Sequence, residues 1–387
     1  MKIVHICMTQ YSDGWTYQEN LLAKYHKLAG NEVTVITSKY HFKEGQLVED
    51  NRSEFVDING VKVIRIEKTT DGLMKKFPVY KGFYETLCNE APDIIFSHGC
   101  QYKDTTLVKK YVKKHPDVKL FVDNHADFTN SATNFLSKTI LHKTIWKHYA
   151  HQLFPYTEKF WGVLPARVDF LIDVYKLPRE KCDLLVMGAD DELVEKSNAQ
   201  KEEKNLRGMY GIKESDFLIV TGGKIDKAKI QTELLITAVK KLERQEVKLL
   251  FFGSIEEEIK ERILSLVDGK QVIYAGWVSP EESYDYFTVA DLVVFPGRHS
   301  VFWEQVAGQG KPMVCRSWPG THHIDVGGNV AYLNYDSEEL IRKTIEEMYL
   351  DKGKYETMKR SAAENGLKTF LYSEIAKKSI GFICKRG

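Results

Sequence analysis

Two lysines follow a double-glycine turn and could neutralise a diphosphate. Lys224 and Lys229 are five positions apart, directly after Gly222 and Gly223. Glycine lets the backbone approach a ligand closely, and ammonium groups form charge-assisted hydrogen bonds with phosphate oxygens. The loop lacks the G-x-x-x-x-G-K-[ST] pattern of a P-loop, and a solvated lysine loop is the alternative interpretation.

The stretch around Glu304 predicts a strand, a turn and a helix that together form an anion site. The apolar run 292–295 indicates a buried strand, and a turn at Pro296–Gly297 follows it. Ser300 is a suitable N-cap for a helix over Val301–Ala307, whose free N–H groups would face an anion. Glu304 could accept hydrogen bonds from the hydroxyls of a sugar or ribose. An ordinary strand–helix unit with a surface glutamate is the alternative.

Two histidines lie at the carboxyl ends of predicted strands, where ligands bind in open α/β sheets. His98 ends the strand that starts at residue 93, and His125 and Asp127 follow the strand 119–123. We predict a functional role for His125 and consider His98 and Asp127 as candidates on the acceptor side. A structural histidine is the alternative for both rings, and for His98 it is the preferred one.

Composition and charge predict a globular protein of two domains. The 387 residues are too many for one ordinary core, and the net charge of +1 argues against a dedicated nucleic-acid-binding protein. The six cysteines form no C-x-x-C pair, which suits a reducing compartment and indicates neither a disulfide framework nor a zinc site. The chain opens directly with a buried-strand pattern and has no run of membrane-spanning length. We therefore expect a cytoplasmic protein, or one bound peripherally at the inner face of a membrane.

The alternation of strands and helices predicts an α/β fold with two doubly wound, Rossmann-like domains. The opening βαβ unit has Gly14 in its first turn but lacks G-x-G-x-x-G, which argues against a nicotinamide-dependent enzyme. A second alternation begins after the charged run 190–204. We expect an acceptor-side domain over residues 1–190 and a donor domain over 191–365, facing each other across a cleft. A C-terminal helix over 366–387 is expected to cross back to the first domain.

The order of these motifs resembles the glycosyltransferases of the GT-B fold, specifically glycosyltransferase family 4, over nearly the whole chain. The segments that carry the resemblance are Tyr11–Gly14 with the following helix, Asp93–His98, Val186–Asp190, Gly223–Ile225 with Lys229, Tyr274–Val278 and Glu304–Pro312. The resemblance implies a GT-B architecture and a nucleotide-diphosphate sugar as donor.

The resemblance also implies a role for each motif. Lys224 and Lys229 would stabilise the leaving diphosphate, Glu304 would bind the ribose hydroxyls, and His125 would act near the sugar. The catalytic candidates are therefore His125, Lys224 and Lys229. The donor-binding candidates are Gly14, Gly223, Lys224, Lys229, Gly276, Trp277, Val278, His299, Ser300, Val301 and Glu304.

Two positions depart from the family pattern. Lys224 stands where the family usually has arginine, which keeps the charge but loses bidentate geometry. Pro296 stands eight positions before Glu304, where the family has a glutamate that contacts the transferred sugar. His299 and Ser300 are the local residues that we expect to replace it.

The resemblance implies a retaining, metal-independent glycosyltransferase without a cofactor, acting on a glycan or lipid-linked acceptor in bacterial surface polysaccharide synthesis. A UDP-sugar is the favoured donor. A nucleotide-sugar epimerase or hydrolase and a non-catalytic scaffold of the same fold are the alternatives. The basic helix at Lys109–Lys114 and the stretch Phe135–Tyr156 suggest contact with a membrane surface, although a half-buried helix with a solvated lysine face is preferred for the latter.

Overall fold

The computed structural model describes residues 1–8, 11–43, 46–69, 78–227 and 231–381. Its contacts divide the chain into two compact units. The first comprises Met1–Val186 together with the segment from Ile375, and the second comprises Met187–Glu374.

The first unit is built on an eight-stranded sheet. The described strands of this unit, inside and outside that sheet, are β1 (Lys2–Cys7), β2 (Glu32–Ser38), β3 (Tyr40–Lys43), β4 (Gln46–Glu49), β5 (Glu54–Val56), β6 (Lys62–Ile66), β7 (Lys68–Thr69), β8 (Val79–Tyr80), β9 (Ile94–Ser97), β10 (Lys119–Asn124), β11 (Thr157–Gly162) and β12 (Cys182–Leu184). The sheet order is β12-β11-β10-β9-β1-β2-β6-β5, and only the edge strand β5 pairs antiparallel within it. Two antiparallel strand pairs, β3 with β4 and β7 with β8, lie outside this sheet.

The helices of the first unit follow the strands in the βαβ order that the sequence predicts. They are α1 (Gln18–Leu28), α2 (Phe83–Glu90), α3 (Thr105–Lys114), α4 (Lys147–Leu153) and α5 (Pro165–Asp173), with a π-helix at Ser137–Trp146 and short 3-10 helices at Phe154–Tyr156 and Arg179–Lys181. Strand β9 is buried at every position, and β1 and β10 are buried at every position after the first, as expected for a parallel sheet covered on both faces.

Strand register places the candidate residues of the first unit side by side. Strands β9 and β10 run parallel, with Val122 opposite Ser97. His98, directly after β9, therefore lies beside Asp123 near the end of β10. The carboxyl ends of the central strands thus gather polar side chains at one edge of the sheet.

The second unit contains a smaller, entirely parallel sheet. Its strands are β13 (Phe217–Gly222), β14 (Val247–Phe252), β15 (Val272–Tyr274), β16 (Leu292–Phe295), β17 (Met313–Arg316) and β18 (Val330–Leu333), in the order β15-β14-β13-β16-β17-β18. Its helices are α6 (Asp191–Ala199), α7 (Lys201–Lys204), α8 (Leu206–Met209), α9 (Gln231–Lys240), α10 (Glu257–Leu264), α11 (Ser283–Thr288), α12 (Phe302–Gly308), α13 (Glu338–Leu350), α14 (Lys352–Ser361) and α15 (Leu367–Phe370). A 3-10 helix at His322–Ile324 and a π-helix at Ala362–Gly366 complete it, and α16 (Tyr372–Ile380) runs from this unit into the first. The parallel α/β architecture predicted from the sequence is confirmed.

The sequence predicted a domain boundary at residue 190. In the structure the second unit begins slightly earlier, at Met187. Asp190 belongs to the second unit because its backbone N–H donates to the Tyr284 hydroxyl at 2.9 Å and its carboxylate caps α6. Ala189 pairs with Leu371 in an isolated β-bridge of the same unit. The return of the chain to the first unit, at Ile375, comes later than the expected residue 366.

One local prediction is wrong. Ser300 is not the N-cap of the helix that carries Glu304, because α12 begins at Phe302 and Val301 occupies the cap position without a side-chain hydrogen bond. Ser300 contributes its carbonyl oxygen instead, which accepts the Trp303 N–H at 3.0 Å. The extra turn moves Ser300 and Val301 into the loop that follows β16.

The stretch Phe135–Tyr156 is helical, but it opens as a π-helix. Three apolar side chains at its start, Phe135, Leu136 and Ile140, are 76, 63 and 49% exposed. Its far end packs into the core through Trp146 and Leu153. Among the residues that the structure describes, no helix is both long and apolar enough to cross a membrane.

Candidate functional site

Three glycines form the carboxyl edge of the second sheet. Gly223, Gly253 and Gly276 follow β13, β14 and β15, and all have positive φ angles. The Gly223 N–H donates to the Phe252 carbonyl at 3.1 Å, and the Gly253 N–H donates to the Gly276 carbonyl at 2.7 Å. A Cβ on Gly253 would lie 2.0 Å from the Gly223 carbonyl oxygen, so the turns pack backbone against backbone. The edge therefore presents main chain without side chains, which a ligand can approach closely.

A pocket opens beside this edge and joins the two loops that the sequence singled out. It is lined by Thr221, Gly222, Gly223, Lys224, Ile225, Thr232, Phe252, Phe295, Pro296, Gly297, Arg298 and Ser300. The lysine loop after β13 and the loop after β16 thus face the same space. Parallel α/β sheets bind ligands in such a crevice at the carboxyl ends of their strands.

Of the two lysines predicted to bind a diphosphate, the structure places Lys224 at this pocket, together with Arg298. The side chain of Lys224 is 61% exposed, and its Nζ lies 3.6 Å from Asp226 Oδ2. Lys229 lies outside the described residues, so its predicted position stays a prediction. Arg298, which the sequence did not assign to ligand binding, is exposed and lines the pocket. Its guanidinium can bind a phosphate in the bidentate manner that Lys224 cannot.

The other donor candidates lie after β15 in the second unit and before α1 in the first unit. Gly276 belongs to the glycine edge, and Trp277 beside it is 69% exposed. Val278 is half-buried. In the first unit Gly14 has a φ of 77° in the turn before α1. Contact of any of these residues with a nucleotide stays a prediction.

Glu304 is fully buried and its carboxylate is held by two histidines. His299 Nε2 lies 2.7 Å and His323 Nε2 lies 2.9 Å from Glu304 Oε1. Burial opposes ionisation, but the charges and hydrogen bonds of the two histidines hold the pKa of Glu304 well below its usual range. Its second oxygen, Oε2, is buried and has no hydrogen-bond partner among the described residues. Glu304 is therefore an ionised carboxylate with one oxygen used and one unused.

The spacing within this cluster is that of hydrogen bonds. Glu304, His299 and His323 bring three potential metal-ligand atoms within 4.8 Å of one another. Ligands of a tetrahedral zinc with bonds of about 2.1 Å would lie roughly 3.4 Å apart, which exceeds both nitrogen–oxygen distances. The arrangement therefore fits imidazole N–H groups that donate to a carboxylate.

The sequence analysis did not identify His323. It lies in the 3-10 helix His322–Ile324, after β17, and its side chain is 3% exposed. Nothing in its spacing from Glu304 follows a helix or strand period, and only the parallel order of β16 and β17 brings the two loops together. A histidine pair in the loop region that follows a predicted strand was the signal available.

A second buried carboxylate, Asp123, organises the edge of the first sheet. Its Oδ2 lies 2.7 Å from His98 Nδ1 and 3.3 Å from His125 Nε2. Burial opposes ionisation, but the charges of both histidines hold the pKa of Asp123 well below its usual range. Burial likewise opposes a charge on His125, whereas Asp123 raises the pKa of His125 overall. The structure thus brings together the predicted residues His98 and His125 through a carboxylate that the sequence did not assign.

The remaining acceptor-side candidate, Asp127, is engaged in local structure. Its Oδ1 accepts the backbone N–H groups of Thr129 and Asn130 at 2.6 and 3.1 Å, and its Oδ2 accepts Arg167 Nε at 3.1 Å. These bonds fix the loop after β10. A role for Asp127 in acceptor binding stays a prediction.

Comparison with known sequences identifies the second unit. Residues 202–365 match the model of the family described as Glycosyl transferases group 1. The chain contains a glycosyltransferase domain. This domain covers β13 to β18 and therefore includes the glycine edge, the pocket and Glu304. The prediction of a glycosyltransferase is confirmed, while the family 4 assignment stays a prediction. No curated protein matches the chain in sequence.

Solved structures share the fold of the whole chain. A glycosyltransferase from Rickettsia africae is 14% identical, with a TM-score of 0.71 over 100% of this chain and 99% of that one. HepE from Anabaena in complex with UDP is 15% identical, with a TM-score of 0.67 over 99 and 100%. UDP-GlcNAc 2-epimerase from Neisseria meningitidis, bound to UDP-GlcNAc, is 12% identical, with a TM-score of 0.64 over 100% of both chains. The glycosyltransferase domain thus lies in a chain with the predicted GT-B architecture.

Proposed function

We propose that the protein is a retaining, metal-independent glycosyltransferase that transfers a sugar from a nucleotide-diphosphate donor, with UDP favoured, to a glycan or lipid-linked acceptor. The observation that carries the proposal is the pocket of the glycosyltransferase domain. There the glycine edge, Lys224 and Arg298 combine open backbone with positive charge. Crystal structures of HepE, which is similar in fold, contain UDP or UDP-glucose, and this supports UDP as the nucleotide.

The cations would act on the leaving diphosphate. As the bond between sugar and phosphate breaks, negative charge develops on the diphosphate oxygens. Fixed positive groups stabilise this charge more in the transition state than in the ground state, and stabilisation of this kind usually contributes most to the rate enhancement. Lys224 and Arg298 border the pocket, and we assign Lys229 to the same task. No bound cofactor is required for this chemistry.

His299 and Glu304 would divide the role of the family's glutamate pair. Glu304 is completely covered, so a ribose or sugar hydroxyl reaches its free Oε2 only after a group that covers this oxygen moves. His299 is partly exposed and lies between Glu304 and the pocket residue Arg298 in the same loop. We therefore assign the contact with the donor sugar to His299, and we assign to Glu304 the positioning of that ring together with recognition of the ribose.

Synthesis of a bacterial surface polysaccharide is the proposed context, and the first unit would bind the acceptor. The exposed apolar residues Phe135, Leu136 and Ile140 stand beside Lys138, in a stretch that contains no acidic residue from 128 to 157. Such a surface suits contact with an anionic membrane. Sedimentation with vesicles of anionic lipid tests this contact, and equal recovery with and without vesicles would contradict it.

A nucleotide-sugar epimerase is the second candidate, because a UDP-GlcNAc 2-epimerase shares the fold over the full chain. Incubation with a UDP-sugar alone separates the two functions. A transferase should leave the donor largely unchanged until an acceptor extract is added, and should then release UDP. Conversion of the free sugar nucleotide to an epimer would establish the second candidate and reject the first.

A further inference from the structure

Three buried histidines extend the contacts of Asp123 into the core of the first unit. Asp123 Oδ2 lies 2.7 Å from His98 Nδ1, and His98 Nε2 lies 3.0 Å from His5 Nδ1. His5 Nε2 in turn lies 3.0 Å from His26 Nδ1. The rings of His5, His26 and His98 come from β1, α1 and the end of β9, and none is more than 5% exposed. We call these three residues the imidazole row.

The far end of the row meets two hydrogen-bond acceptors on α16. His26 Nε2 lies 2.9 Å from Ser379 Oγ and 3.2 Å from the Ala376 carbonyl oxygen. The Ser379 hydroxyl is committed, because it donates to that carbonyl oxygen at 2.8 Å. Both groups therefore accept the N–H of His26 Nε2.

A row with acceptors at both ends needs one hydrogen more than three neutral imidazoles carry. Four hydrogen bonds each need one hydrogen: the bond from His98 to the Asp123 carboxylate, the two bonds between neighbouring rings, and the bond from His26 to the acceptors on α16. With both groups on α16 as acceptors, three neutral rings supply only three of these four hydrogens, so one ring carries a second proton and is an imidazolium. His98 is the ring in direct contact with the carboxylate. Burial lowers the pKa of His26 to about 4 and the pKa of His5 well below its usual value, which keeps these two rings neutral.

We propose that the imidazole row stores one proton on His98 and thereby weakens the attraction of Asp123 for a proton on His125, the candidate catalytic residue. His98 and His125 share the same oxygen of Asp123, so the two rings compete for one negative charge. With His98 charged, part of the Asp123 charge is compensated, so His125 is protonated less readily than it would be beside Asp123 alone. The neutral form of His125 can accept a hydrogen bond or a proton. His5, His26 and His98 are then positioning residues. Their effect on activity rests on the proposed function, whereas the stored proton does not.

Other charged or titratable groups also act on this system. Glu19 favours a charge on His125, and Arg167 opposes it. Cys100 faces Asp123, but burial raises the pKa of its thiol to about 12, so it remains uncharged. None of these groups lies between the rings of the row, so their influence is the same before and after changes at the α16 end.

Nitrogen-15 NMR of the histidine side chains tests the proton count in the full chain without a ligand. The expected result is a His98 ring protonated at both nitrogens, with neutral His5 and His26 rings that carry hydrogen on Nε2. The opposite arrangement, with three neutral rings that carry hydrogen on Nδ1 and Ser379 as donor to His26, would overturn the proposal. This measurement needs no variant and no activity.

Two variants at the far end then test the link to His125. His26→Leu removes the hydrogen bonds that join His5 to the acceptors on α16. The Nδ1–H of His5 should then donate to His98 Nε2, and His98 should lose its second proton. Asp123 then favours protonation of His125, and the acid limb of turnover should move to higher pH by about one unit. Ser379→Ala keeps the Ala376 carbonyl as acceptor and should leave the profile unchanged.

The titration of His125, followed by the same NMR signals, separates this inference from the proposed function. A His26→Leu protein in which His125 titrates as in the wild type would reject the link between the row and His125. Absence of transferase activity, with the expected shift in the His125 titration, would reject only the proposed function. If His26→Leu does not fold, the proton count in the wild-type chain decides.

Discussion

The two units use the same arrangement at the carboxyl edges of their sheets, with one difference. Asp123 and Glu304 are buried carboxylates, each with one oxygen that contacts two histidine rings. In both, the second oxygen has no hydrogen-bond partner among the described residues. At Asp123 the contacts continue inward through the imidazole row. At Glu304 they end at His323, whose Nδ1 is buried and likewise lacks a partner in the described part of the chain.

This difference suggests what each carboxylate controls. A carboxylate connected to a row of titratable rings controls where a proton resides. A carboxylate whose contacts end at two histidine rings, beside a ligand pocket, controls geometry. We therefore expect changes at Asp123 to affect turnover and changes at Glu304 to affect donor binding.

The largest expected effect is on turnover after Asp123→Asn. The amide removes the charge that orients His125 and pairs with His98, and loss of a group that supports acid–base catalysis typically costs about 100-fold or more. The kcat should fall by that order while the Kd for UDP stays within about twofold, as measured by steady-state kinetics and calorimetry. A kcat near the wild-type value, in a variant with normal Tm, would show that Asp123 does not support turnover.

Glu304→Gln should show the opposite pattern. The amide still accepts a hydrogen bond but lacks the charge that holds His299 and His323, and a charge-assisted hydrogen bond contributes about 1.5–3 kcal/mol. The Kd for UDP should rise by about tenfold, with a smaller effect on kcat at saturating donor. Wild-type affinity for UDP and for GDP would contradict the role assigned to Glu304.

The same variant should differ from the wild type in its pH-dependent stability. The pKa of Glu304 is lowered from 4.5 in the folded state, so its ionised form stabilises the fold at pH values above 4.5. This contribution disappears as the pH falls through the folded-state pKa. Urea unfolding should show wild type more stable than Glu304→Gln by about 1–3 kcal/mol at pH 7, with a smaller gap below pH 4. A gap that does not change with pH would contradict the assignment of charge.

The smallest effect is expected from the exposed lysine of the pocket. Lys224→Ala should weaken UDP binding by a few-fold, because a solvent-exposed charge contributes about 1 kcal/mol or less. Lys227→Ala is the matched control, since Lys227 in the same loop pairs with Glu258 and does not line the pocket. Equal affinities for the two variants would show that Lys224 does not contact the diphosphate.

Much of the fold could be predicted from the sequence because its signals are local. Apolar runs such as 292–295 and glycines after them mark buried strands and the turns that bind ligands. The loops after β13 and β16 line one pocket because these two strands are neighbours in the sheet, and the predicted order of strands was enough to expect this. The start of α12 could not be predicted, because Ser300 satisfies the rule for a cap and the backbone nevertheless turns once more before the helix begins.

The histidine contacts could not be predicted, for a physical reason. His5 and His26 occupy buried positions of a strand and a helix, where a histidine in sequence looks like any half-polar core residue. Their partners are distant in the chain and meet only through parallel register and helix packing. His323 reaches Glu304 in the same way. Buried polar networks of this kind depend on tertiary structure and leave no periodic signal.

Isothermal titration of the full chain with UDP tests the central claim most directly, namely that the pocket of the glycosyltransferase domain holds a nucleotide diphosphate. The wild type should bind one UDP per chain, Glu304→Gln should bind about tenfold more weakly, and Asp123→Asn should bind as the wild type does. The absence of binding by UDP, GDP and ADP to the folded wild-type protein would contradict the account.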